Sequence, residues 1–212
     1  MNRIADIVSK VLSVLFYPLF IPTYGVALFC YAFSAAVAPL SVVWIAIAIA
    51  GTLLLTCLLP ISAIWIMVRK GDVKDMQIEN PKERTMPYLY AALGFAFWSY
   101  LMIAILHAPI YIQFIACGAT AAIGLITIIN RWWKISAHLT GIGGLLGGMI
   151  CYYLGLGILP EWGILCFGVC LTLMLMYARL YLNAHTPLQV IAGWLMGMSC
   201  TCLPYCIYCY VQ

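Results

Sequence analysis

Charge is what this 212-residue chain has least of: only 8% of its residues are Asp, Glu, Lys or Arg, against about 25% in an ordinary soluble domain. With 66% hydrophobic residues, the shortage excludes a water-soluble globule and indicates an integral membrane protein. No polar stretch is long enough for a separate soluble domain. The longest, "RKGDVKDMQIENPKERTMP" at 69–87, holds four of the six acids. The apolar runs therefore carry almost no carboxylates, which argues against an ion or proton-coupled carrier built on intramembrane acids. The formal charge of +4 does not imply a nucleic-acid partner, because the ten Lys and Arg gather in a few segments between apolar runs. No motif for a nucleotide, haem or quinone is present, and no cofactor is expected. Six of the ten cysteines fall inside apolar runs, where Cys behaves as a small hydrophobe. The remaining four, Cys200, Cys202, Cys206 and Cys209, match no zinc template.

What is present is a series of apolar runs near the ~20 residues that a membrane helix needs. They cover roughly Val11–Phe33, Ser41–Val68, Pro87–Leu106, Pro109–Ile129, Ile135–Leu156, Gly163–Tyr181 and Pro187–Tyr208. The expected fold is an all-α polytopic bundle of about seven transmembrane helices, with six as the alternative, forming one integral membrane domain over 1–212. The first run is interrupted by Pro18 and Pro22 and is read as a retained, broken or re-entrant segment rather than a cleaved signal. The second is overlong, so it tilts, kinks at Pro60 or runs into water. Gly144 with Gly148, and Gly193 with Gly197, have the spacing of close helix packing.

Sorted by side, the loops are asymmetric. One face with its adjoining helix ends holds Arg3, Lys10, Arg69, Lys70, Lys74, Lys82, Arg84, Arg131, Lys134 and Arg179, while the other has only His107 and Glu161 as ionisable side chains. On that charged face lie three polar clusters: "PKERTMPY" with Lys82 and Arg84, "KISAHLTG" with Lys134, Ser136 and His138, and "ARLYLNAHTPLQV" with Arg179, His185 and Gln189. Each has a plain structural explanation. Lys and Arg at membrane helix ends snorkel to the headgroups, Ser136 and Thr186 suit N-caps, and Pro187 suits a first helical position. Together they suggest more. Helix N-termini offer free N–H groups and partial positive charge to an anion, and Arg grips phosphate bidentately. Two histidines can supply a nucleophile or base and a general acid. Cations around the histidines repel a metal and invite an anion. The expected ligand is a phosphorylated lipid met at the bilayer surface.

These residues resemble the type 2 phosphatidic acid phosphatase superfamily, whose signatures read approximately K-x6-R-P, P-S-G-H and S-R-x5-H-x3-D. "ISAH" stands for the second and "ARLYLNAHTPLQ" for the third, with "VIAGWLMG" continuing it; "ERTMP" is a looser first signature. The resemblance covers about 74–197. It implies a metal-independent lipid phosphatase in which His185 attacks phosphorus to form a phosphohistidine and His138 protonates the leaving group. Arg84, Arg179, Ser136, Lys82, Lys134 and the backbone at Ala137 would hold the phosphoryl oxygens. It also implies a multi-pass protein of a cell membrane such as the bacterial inner membrane.

The departures are specific. Gln77 stands where the first signature's lysine belongs, leaving Lys74, Lys82 or Lys134 to substitute, and Ile135 and Ala137 replace the proline and glycine of the second. Gln189 takes the place of the aspartate that orients the nucleophilic histidine. In a comparable triad, changing that carboxylate to an amide lowers kcat by ~10⁴. A slow or specialised phosphatase follows, or a phospholipid-binding or transport protein on the same scaffold. Phosphatidate, phosphatidylglycerol phosphate, a polyprenyl diphosphate and a phosphorylated lipid A all fit, and the 69–87 loop suits a lid. The positive-inside rule places the charged face in the cytoplasm, whereas many bacterial members of the superfamily face away from it, so sidedness stays open, as does oligomeric state.

Overall fold

A computed structural model describes residues 3–36, 40–74, 83–157 and 162–211, with side chains at 33–36 and 156 excepted. Among these residues the fold is entirely helical. Six helices are long and apolar enough to cross a membrane: Val42–Lys70, Thr85–Ile105, Ile110–Ile129, Ala137–Gly155, Trp162–Tyr181 and Pro187–Val211. The protein is a polytopic helix bundle.

The first expected span is divided. Helix α1 (Arg3–Leu15) ends before Pro18, the chain turns through 16–20, and α2 (Ile21–Ala36) restarts with Pro22 in its first turn. There a proline's missing N–H leaves no bond unmade. The overlong second run is continuous: α3 (Val42–Thr52) passes through a π-helical stretch, Leu53–Leu58, into α4 (Leu59–Lys70). The widening falls just ahead of Pro60, whose ring crowds the preceding turn and whose nitrogen cannot donate. At 1.5 Å per residue this rod is about 43 Å long, so it overruns a ~30 Å hydrocarbon core. Gly71, in the left-handed region at φ 82°, ends it. Helix α5 (Thr85–Tyr100) also ends in a π-helical turn, Leu101–Ile105, followed by α6 (Ile110–Ile129), α7 (Ala137–Leu156), α8 (Trp162–Tyr181) and α9 (Pro187–Val211).

The tightest pairing joins α7 to α9. Added methyl groups at Gly143, Gly147 and Gly197 would overlap the backbones of Trp194, Met198 and Thr140 respectively, and one at Gly193 would lie 2.6 Å from the Ser136 carbonyl oxygen. Glycine thus lets two backbones approach where a lipid-soluble chain has little hydrophobic force to use. Thr201 bonds across the seam, its Oγ1 donating to the Gly144 carbonyl at 3.1 Å. Gly148 instead faces Ile115 of α6. Lateral support comes from Ile21, Leu139, Ile142, Leu171, Leu175 and Val190, buried together beneath the α7 and α9 N-termini.

Gly197→Ala should lower stability by about 1–3 kcal/mol through overpacking. Gly124→Ala, where a methyl meets nothing within 4 Å, should leave it equal or slightly higher. Thermal unfolding in detergent measures both; equal behaviour of the two variants contradicts the seam.

Candidate functional site

The site is assembled by how α8 stops and α9 starts. Asn183 takes a left-handed conformation, φ 50°. The Asn183 N–H donates to the Leu180 carbonyl at 3.0 Å, and the Ala184 N–H reaches back to the Arg179 carbonyl at 3.1 Å. This paired C-cap closes α8 with Asn in glycine's usual place. Three residues after Asn183, Thr186 opens α9. The Thr186 N–H donates to Gln189 Oε1 at 3.1 Å, and the Gln189 N–H donates to Thr186 Oγ1 at 3.4 Å. That is a capping box in its Thr-x-x-Gln form, with Pro187 at the first helical position. His185 is fixed between the two caps.

His185 faces the segment leading into α7. Its Nδ1–H donates to the Lys134 carbonyl at 3.3 Å, which leaves Nε2 with its lone pair. Gln189 also bears on the ring as a hydrogen-bond partner. Burial and, after it, the positive charges of Arg179 and Lys134 push the imidazole down to about 4, against the opposing pull of its hydrogen bonds to Lys134 and Gln189. The neutral ring therefore predominates at every pH above that value.

Beside it, Ser136 caps α7 without using its side chain. Its hydroxyl is fully buried and has no hydrogen-bond partner among the described residues. The Ser136 N–H donates to the Gln189 carbonyl at 3.3 Å, so the starts of α7 and α9 stand side by side. At a helix start the N–H groups of Ala137 and His138 have no intrahelical acceptor. His138 Nε2–H donates to the Ser13 carbonyl at 3.0 Å, and Arg179 donates through one terminal nitrogen to Ser13 Oγ at 3.1 Å. The Arg179 Nε is buried and, among the described residues, has no partner.

The structure thus brings together Ser136, Ala137, His138, Arg179, His185 and Gln189. His138 feels the charge of His185, and Arg179 acts on both imidazoles. Arg84, buried at the start of α5, is linked to the group only indirectly: Tyr88, one turn further on, senses both Arg84 and Arg179. Of the lysines weighed for the first signature, Lys134 bears electrostatically on His185. Lys74 is exposed in the loop after α4, with its backbone N–H on Glu83. Lys82, Gln77 and the middle of the expected 69–87 lid lie outside the described residues, as does Glu161. Among the described residues no three His, Cys, Asp or Glu side chains gather as a metal site. Of the cysteine cluster, Cys202 and Cys206 come together, sulfur to sulfur at 3.5 Å, as free thiols.

Sequence reasoning missed Ser13 and Tyr17, whose ring meets His138 edge-on at 5.8 Å. A signal was available: Asp6, Ser9, Lys10 and Ser13 repeat at helical spacing. Comparison with known protein families, curated proteins and solved structures gives no match.

An NMR titration of histidine-labelled protein should show one imidazole, missing in His185→Asn, as the Nδ1–H tautomer with a midpoint near 4. A midpoint at the ordinary value of about 6.5 would contradict the cationic, buried setting. Thr186→Ala should lower stability by about 0.5–2 kcal/mol through loss of the cap and broaden that same resonance.

Proposed function

We propose that the protein is a membrane lipid phosphatase of the type 2 phosphatidic acid phosphatase kind, hydrolysing a phosphate monoester or diphosphate of a lipid. The observation that carries this reading is the His185 geometry. A neutral imidazole has its Nδ1–H held by the Lys134 carbonyl. Its unprotonated Nε2 stands in a group that also offers Arg179, a helix start and the Ser136 hydroxyl, which has no partner among the described residues. That is a nucleophile beside a set of donors for phosphoryl oxygens, and phosphoryl transfer depends chiefly on such positioning and charge stabilisation.

In the proposed reaction the phosphate lies at the α7 N-terminus between Arg84 and Arg179, with Lys134 at its edge. His185 Nε2 attacks phosphorus as the P–O bond to the lipid breaks, and the leaving oxygen takes a proton from His138, which enters the step as the imidazolium beside the anionic phosphate and leaves it as the neutral ring. The resulting phosphohistidine is then attacked by water. His138, now the base, accepts the water's proton, the P–N bond breaks, and inorganic phosphate leaves with His185 restored. Seven helices, counting the divided first segment, and a phosphatase-like core over about 74–197 belong to the same proposal.

A second reading, binding or transport without turnover, is favoured by Gln189. Its amide oxygen serves the capping box, and it brings no negative charge to the imidazolium that develops in the reaction.

Purified protein in detergent, without added metal, should release phosphate from at least one of phosphatidate, phosphatidylglycerol phosphate, a polyprenyl diphosphate or a phosphorylated lipid A. His185→Asn should abolish the release, and Gln189→Asp should raise it. Release that persists in a folded His185→Asn protein sinks the mechanism. Substrate binding without release in the unaltered protein selects the second reading.

A further inference from the structure

Helix α1 is amphipathic in an unusual sense. Ser9 and Ser13 are buried, at 1% and 8% exposure, while Ile4, Ile7, Val8, Val11, Val14 and Leu15 are 46% to 71% exposed. At 13 residues it is shorter than the ~20 that span a bilayer. A polar inner edge with an apolar outer face suits a helix lying in the membrane interface. Its position fits, because its C-terminal turn packs at the end of the bundle where α7 and α9 begin and α8 stops. Arg3 and the exposed Lys10, which pairs with Asp6 at 2.8 Å, lie further toward its N-terminus.

The carbonyls that end α1 are all accounted for. Those of Leu12 and Val14 accept from the N–H groups of Phe16 and Tyr17, and that of Leu15 accepts from the Tyr24 hydroxyl. Only Ser13 turns to the site. Its carbonyl takes His138 Nε2–H, and its hydroxyl, donating to the Ser9 carbonyl, receives Arg179. A single residue thus engages Arg179, assigned to the phosphate, and His138, assigned to the proton transfer, while the adjacent Arg179 Nε and Ser136 Oγ stay unpartnered among the described residues.

Resting on the phosphatase reading of this site, we propose that α1 docks in the bilayer interface through its apolar face and closes the phosphate site with Ser13 as a displaceable occupant. A phosphoryl oxygen replaces the Ser13 hydroxyl on Arg179. The exchange is favourable because a neutral acceptor gives way to an anionic one, which the planar guanidinium can also grip through two nitrogens. The apolar face keeps α1 at the leaflet as it moves, so opening does not require the helix to enter water.

Full-length protein in phospholipid nanodiscs, probed with orthovanadate, tests both halves. Vanadate should accelerate amide exchange in residues 10–15, and Ser13→Ala should bind vanadate about threefold to tenfold more tightly, the worth of one hydrogen bond. Ile7→Asp, which spoils the apolar face, should accelerate exchange across α1 with no vanadate present. If both proteins bind vanadate equally and α1 exchange is unchanged, the lid is refuted while the phosphate site stands. Weaker binding by Ser13→Ala makes Ser13 a ligand and overturns its role as occupant. If neither protein binds vanadate, the phosphate site fails and the proposal with it. Unaltered exchange in Ile7→Asp refutes the docking.

Discussion

The glycine seam between α7 and α9 is the contact on which the candidate site depends. With Gly193 against the Ser136 carbonyl and Gly197 against that of Thr140, the two backbones come close enough for the Ser136 N–H to bond the Gln189 carbonyl. That bond sets two helix starts side by side, and each contributes the partial positive charge of its free N–H groups. It also brings the Lys134 carbonyl, just ahead of α7, against His185, which immediately precedes the Thr186 cap of α9. A larger residue in the seam would spread the helices and part the imidazole from the carbonyl that holds it. Packing and chemistry are therefore one constraint here.

The electrostatic character of the site follows from what is missing near it. Arg179 bears on both imidazoles and Lys134 on that of His185, and Arg179 and Ser136 each keep a buried polar atom without a partner among the described residues. Buried polar groups are ordinarily satisfied, and an Arg whose hydrogen bond goes to a neutral hydroxyl retains most of its field for a ligand. Both features favour an oxyanion over a metal ion. Gln189 strengthens this bias, because an aspartate in its place would cancel part of the positive potential.

Much of the fold was legible because membrane helices declare themselves by length and apolarity. The six long helices fall close to the apolar runs, and Pro18 marks the break in the first. The close packing at Gly193 and Gly197 was likewise readable from spacing. The π-helical stretch before Pro60 was not, since a proline signals a disturbance without saying whether the helix kinks or widens. In the candidate site, the motif pattern singled out His138, Arg179 and His185, and the structure places the three near one another. Three features were not legible. Ser136 resembles a helix cap, but its hydroxyl makes no cap bond; Gln189 resembles a degraded catalytic position, but its amide closes a capping box. The acceptor for His185 is a main-chain carbonyl, which no side-chain pattern encodes. The inward edge of α1 was hidden because its C-terminal part was read into the first span.

In the proposed phosphatase reaction, Gln189 in an aspartate's place would separate two jobs that an aspartate performs together. A carboxylate holds the histidine in the Nδ1–H tautomer, and it stabilises the positive charge that the ring gains in the reaction. Where an amide replaces it and the wrong tautomer results, the loss is ~10⁴ in kcat. The Lys134 carbonyl can only accept a hydrogen bond, so it selects the same Nδ1–H tautomer as a carboxylate would, though at 3.3 Å and without charge it holds the ring less strongly. The first job is therefore retained by the backbone, and only the second is lost. Part of that loss is offset when a dianionic phosphate lies against the ring, because the ligand itself then supplies negative charge beside the imidazolium. On the proposed phosphatase reading, the amide would lower the rate without removing the nucleophile, and turnover would depend on how closely the phosphate of a bound lipid approached His185.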